Sequence, residues 1–90
     1  MNKKEQNQKS LDSAIDTLKQ VSVNFATPKT IRKNITDLTN ELANDGDHAI
    51  SVRAANAISV LDEITQDPNL PSHVRVTLWQ AVSILERIRE

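Results

Sequence analysis

No cysteine occurs among the 90 residues, which excludes a disulfide framework, a thiolate nucleophile and a Cys-type metal site. That absence fits a reducing cytosol, and a cytoplasmic location is the expectation. One glycine and three prolines are too few for a chain of strands joined by tight turns. Aromatics are nearly missing: one Trp, one Phe and no Tyr. Neither charge sign dominates, since 11 basic and 12 acidic side chains leave a net charge of −1, which argues against a dedicated nucleic-acid binder. No run approaches the roughly 18 apolar residues that span a bilayer. The first nine residues have a basic start without the apolar segment of a secretory signal, so no membrane partner is expected.

What is present is aliphatic and periodic. From Ser10, the residues Leu11, Ala14, Ile15, Leu18, Val21 and Phe25 recur at helical spacing, and the run stops near Ala26 ahead of Pro28. Thr27 reads as an N-cap with Pro28 in the first turn, followed by a second stripe of Ile31, Ile35, Leu38 and Leu42. Gly46 is expected in the left-handed conformation past a helix end, and Asp47 as the cap of the next helix. The third stripe is Ile50, Ala54, Ala57, Ile58, Leu61 and Ile64. Asp67-Pro68-Asn69 breaks it and Pro71 restarts helix. Val74, Leu78, Ala81, Leu85 and Ile88 form the fourth stripe, with Arg87 and Arg89 in its last turn.

A shift of 43 superposes Ala14 on Ala57, Ile15 on Ile58, Leu18 on Leu61, Pro28 on Pro71, Arg32 on Arg75 and Leu42 on Leu85. The pattern predicts two copies of one αα-hairpin, about 10–46 and 47–90, after a polar N-terminal tail at 1–9. The period also suits HEAT-type repeats, but two hairpins are fewer than the roughly three such arrays need. Short connections make consecutive helices antiparallel neighbours. The expected fold is therefore all-α: an up-and-down four-helix bundle in one domain, residues 10–90.

Chemistry is thinly represented. A metal site would want a second His at i+4 or grouped carboxylates. His48 has Asp45 and Asp47 beside it, but on a turn with Asp47 committed to capping, and His73 falls in a helix's first turn. Both read as surface residues, and no metal or other cofactor is expected. Asp62 and Glu63 are adjacent and point about 100° apart on a helix, so they do not converge on one atom. No nucleophile–base–acid arrangement and no Gly-rich phosphate loop is present, so no enzyme activity and no catalytic residue are expected. Pro28, Asp67, Pro68, Pro71 and Arg75 read as the structural corners. Arg75 is expected to brace its corner through an ion pair or a carbonyl contact, with Asp67 or Glu63 as candidate partners and Asn24 as the candidate for Arg32. Lys29, Arg32 and Lys33 form a candidate basic patch. Trp79 lies about 140° from the core stripe of its helix and Val76 about 160° away on the other side, so both point outward. Such aromatic–aliphatic pairs are enriched at interfaces, and the bland alternative folds Trp79 over Val82.

The residues Val52-Arg53-Ala54, Asn56-Ala57-Ile58, Leu61-Asp62-Glu63-Ile64, Asp67-Pro68-Asn69 and Pro71 together resemble a small archaeal family, uncharacterised protein family 0147. The likeness continues through His73, Arg75, Trp79, Leu85-Glu86 and Ile88-Arg89, and reaches back to Pro28 and Ile31-Arg32. It covers the chain from Leu11 and is strongest from residue 50 on. The resemblance implies a short cytosolic helical protein with a four-helix bundle, and brings no activity or catalytic residue with it. The functional expectation is a small helical protein–protein interaction module, as a homodimer or against another protein, through Val76 and Trp79. The alternative is an accessory protein of an RNA or ribonucleoprotein assembly, using Lys29, Arg32 and Lys33 with the basic N-terminus.

Overall fold

Pro28 and Pro71 stand at two corners built from the same hydrogen bonds. Before each proline a hydroxyl closes the outgoing helix, Ser22 donating to Lys19 O (2.8 Å) and Thr65 to Asp62 O (3.0 Å). Next comes a short polar residue whose side chain folds back on the chain. Asn24 Oδ1 accepts from Ala26 N and Asp67 Oδ1 from Asn69 N, both at 2.9 Å. This side-chain turn substitutes for the helical bond and turns the backbone. Thr27 N then donates to Asn24 O (3.0 Å) and Leu70 N to Asp67 O (3.2 Å). The next helix opens with Arg32 N donating to Pro28 O (2.9 Å) and Arg75 N to Pro71 O (3.0 Å). The repeat seen in the sequence is thus a repeat of backbone geometry.

The computed structural model describes residues 2–44, 46 and 48–89. Its elements are α1 (Lys3–Ser22), α2 (Lys29–Asn44), α3 (Ile50–Ile64) and α4 (Ser72–Leu85). Helix α1 packs on α2 and α4, and α3 packs on both of those, with the α1 seams the more extensive. That closed ring of neighbours is an up-and-down four-helix bundle, 39 × 22 × 19 Å in extent.

The four stripes supply the core. Leu11, Leu18, Ile35, Leu42, Leu61, Leu78 and Leu85 are its largest fully buried aliphatic side chains besides Val74, and Leu70 and Ile88 close it from outside the helices. Ile50, Ile58 and Ile64 of α3 are only half buried against it. Each buried aliphatic side chain of this size contributes about 1.5–3 kcal/mol of transfer free energy.

Four expectations need correction. Residues 3–9 are helical: Asn2 caps α1, accepting Glu5 N–H at 2.8 Å, with Glu5 in the first turn where the dipole favours an acid. Helix α1 ends at Ser22, because the Asn24 turn takes the chain out of helical phase, and Phe25 is therefore 90% exposed rather than core. Thr27 does not cap α2; the cap position falls to Pro28, whose carbonyl takes the first bond, while the Thr27 hydroxyl is buried without a protein partner. Gly46 has no positive φ, and a Cβ placed there would meet nothing within 4 Å. Asp47 lies outside the described residues; α3 itself starts after Ala49 without a side-chain cap.

Candidate functional site

Helix α4 buries Val74, Leu78, Ala81, Val82 and Leu85, and this phase turns Val76 and Trp79 outward. Trp79 is 52% exposed and Val76 47%. At the equivalent positions of the first hairpin, α2 carries Lys33 and Thr36, and the Thr36 hydroxyl simply bonds back to Arg32 O. The shared hairpin geometry is thus compatible with polar side chains at both places. Val52 and Val60 of α3 are also exposed. Among the described residues, every exposed large apolar side chain that lies on a helix belongs to the second hairpin.

Arg75 leaves the first turn of α4 and reaches back over the corner. Its Nε donates to Thr65 O and its Nη2 to Asp67 O, both at 2.8 Å. The planar fork donates to two carbonyls just past the end of α3. Asp67 thus serves the corner three times, its carboxylate holding Asn69 N and its carbonyl accepting from both Leu70 N and Arg75. Arg32, at the same point of the first hairpin, behaves differently. Its guanidinium stands 5.4 Å above the Phe25 ring, and its buried Nε has no hydrogen bond. Position 25 carries Phe where the second corner has Pro68, so the ring substitutes a cation–π contact for the carbonyl contacts. Of the candidate basic patch, Lys29 and Lys33 are exposed and Arg32 is half buried.

At the opposite end of the bundle is a grouping that sequence periodicity does not reveal. Asn7 is buried, and its side chain meets both polar backbone groups of Arg89: Nδ2 donates to Arg89 O at 2.7 Å, and Arg89 N donates to Oδ1 at 3.3 Å. Arg87 and Arg89 lie beyond α4, which ends at Leu85. The pairing ties the final segment to the second turn of α1. Lys3, Lys4, Arg53 and Arg89 thereby line one open cleft of about 410 Å³. Arg53 Nη1 also donates to Leu42 O at 2.8 Å. One signal was available: Asn2-Lys3-Lys4-Glu5 has the spacing of a capping box, which extends α1 back to the lysines.

His48 and His73 are both exposed, as are Asp62 and Glu63. Among the described residues no three His, Cys, Asp or Glu side chains group as metal ligands. No helix of the described chain is long and apolar enough to cross a membrane.

Residues 1–88 match the Uncharacterised protein family UPF0147. A UPF0147 protein of Metallosphaera sedula is 43% identical over 84 residues, covering 93% of both chains. One from Sulfurisphaera tokodaii is 39% identical with the same coverage. The crystal structure of a UPF0147 protein from Thermoplasma acidophilum superposes with a TM-score of 0.86 at 29% identity, covering 94% of this chain and 99% of the other. A second crystal structure, of a protein of unknown function, gives 0.83 at 34% identity over 90% and 91%.

Proposed function

The chain belongs to the UPF0147 family, and from that premise we propose that it is a small protein–protein interaction module that docks a second copy of itself through the outer face of α4. The observation that carries this reading is Trp79, half exposed beside Val76 where the equivalent hairpin carries Thr36 and Lys33. Those apolar side chains are not needed to build a hairpin. Covering them removes apolar surface from water at about 25 cal/mol per Å².

A second copy suits the face for two reasons. Val76 and Trp79 lie about one turn apart, so two antiparallel α4 helices around a two-fold axis place each Trp79 against the other chain's Val76. The net charge of −1 also leaves little long-range repulsion between copies. The RNA-associated alternative, through Lys29, Arg32 and Lys33 with the basic N-terminus, has less to stand on, because Arg32 is engaged over Phe25 and Lys3 and Lys4 lie at the other end of the bundle from Lys29 and Lys33.

Light scattering over a dilution series tests the proposal. Wild type is expected to fall from the mass of two chains to that of one, and Trp79→Ala to stay at one throughout. Trp79 is the only tryptophan, so its emission reports the face directly and should shift to the red on dilution. A one-chain mass at every concentration, with water-like emission from the start, would overturn the self-association.

A further inference from the structure

The end of the bundle away from the proline corners gathers cations from three separate stretches of chain. Lys3 and Lys4 come from the first turn of α1, Arg53 from the first turn of α3, and Arg89 from the segment after α4. Among the described residues their cleft holds no carboxylate, although acidic side chains outnumber basic ones in the chain as a whole, 12 to 11. Four like charges around one concavity repel each other, and the α1 dipole further opposes Lys3 and Lys4. Helix α3 begins at Ile50 without a side-chain cap, so its positive end adds to the same potential. Arg53 Nε is buried there without a hydrogen bond. Asn7 holds the arrangement together by gripping the backbone of Arg89.

We propose that this cleft binds the oligophosphate group of a small ligand, with Lys3, Lys4, Arg53 and Arg89 sharing its charge. A single carboxylate would neutralise one of four cations, whereas contiguous phosphates match several. Among the described residues Ile50 is the only apolar amino acid in the lining, and the polar heads there are those of Lys3, Lys4, Asn7, Gln8, Arg53 and Arg89. The cleft, about 410 Å³, falls in the range of small-molecule sites, whereas a nucleic-acid strand is followed by a groove with stacking aromatics.

The test is calorimetric titration of the full chain at low salt with tripolyphosphate, pyrophosphate and orthophosphate, beside a labelled single-stranded RNA. Tripolyphosphate is expected to saturate one site per chain and to bind more tightly than the shorter anions. Lys3→Gln with Lys4→Gln removes two of the four cations at exposed positions, and should weaken tripolyphosphate about tenfold or more with circular dichroism unchanged. Lys29→Gln with Lys33→Gln makes the same charge change at the other end, and should alter affinity less than about twofold. Failure of tripolyphosphate to saturate, equal weakening in the two variants, or binding of RNA without tripolyphosphate would each overturn the assignment.

Discussion

Arg75 shows how much one side chain can decide at a corner. Its guanidinium donates to two carbonyls just past the end of α3, that of Thr65 and that of Asp67, the second shared with Leu70 N. Hydrogen bonds from a charged donor contribute about 1.5–3 kcal/mol each before context, and these two share one side chain. Arg75→Ala is therefore expected to lower the unfolding free energy by about 2–3 kcal/mol, read as a lower urea midpoint with unchanged slope. Arg75→Lys should recover little of it, because an ammonium cannot present the planar fork. Gly46 behaves against first intuition. With no positive φ and open space around its Cβ position, Gly46→Ala is expected to be neutral or to stabilise by about 0.5 kcal/mol, through the lower entropy of the unfolded chain. A thermal melt showing a loss of about 1 kcal/mol would mean that the turn needs glycine after all.

At the scale of elements, α1 is the helix on which the others depend, since it alone packs through both extensive seams. Its first turns have few apolar residues, and they are held by Asn2 at the cap and Asn7 in the interior. Asn7 falls four residues before Leu11, in phase with the buried stripe, so burying it requires partners for its amide. Arg89 supplies both. Asn7→Ala is expected to cost about 1–3 kcal/mol and to release the segment after α4. In amide hydrogen exchange, Ile88 and Arg89 should lose protection while α2 keeps its own. Unchanged exchange at Ile88 would show that burial of Ile88 alone holds the end in place. Helix α3, with its half-buried isoleucines, is the element with the least packing to lose.

For the whole molecule, the distribution of apolar and charged surface matters more than the totals. Among the described residues the exposed large apolar side chains on helices lie on the second hairpin, and the cleft of cations lies at one end. If two copies meet through α4, apparent stability includes the association free energy and rises with protein concentration. The melting temperature of wild type is expected to climb by several degrees over a hundredfold increase in concentration, and that of Trp79→Ala to stay level. A wild-type melting temperature independent of concentration would detach Trp79 from any role in self-association. Both surfaces can be tested on one protein, because Lys3 and Lys4 are on α1 and Trp79 is on α4.

By itself the sequence determined the helix count, the core stripes, the proline corners and their duplication, because each follows from neighbours within about one helical turn. It also determined that Val76 and Trp79 point outward, since helical phase is local. Phe25 was misplaced because its spacing continued the α1 stripe, while the Asn24 turn had already ended the helix. The start of α1 was missed because its apolar signal begins only at Leu11; capping and a buried amide, not hydrophobic burial, hold the turns before it. Only the tertiary structure decided that Arg32 and Arg75 take different partners, and that Asn7 meets Arg89 across 82 positions of sequence. The cleft of Lys3, Lys4, Arg53 and Arg89 is of the same kind. Its residues come from three stretches of chain that periodicity treats separately, and closure of the bundle is what brings their charges together.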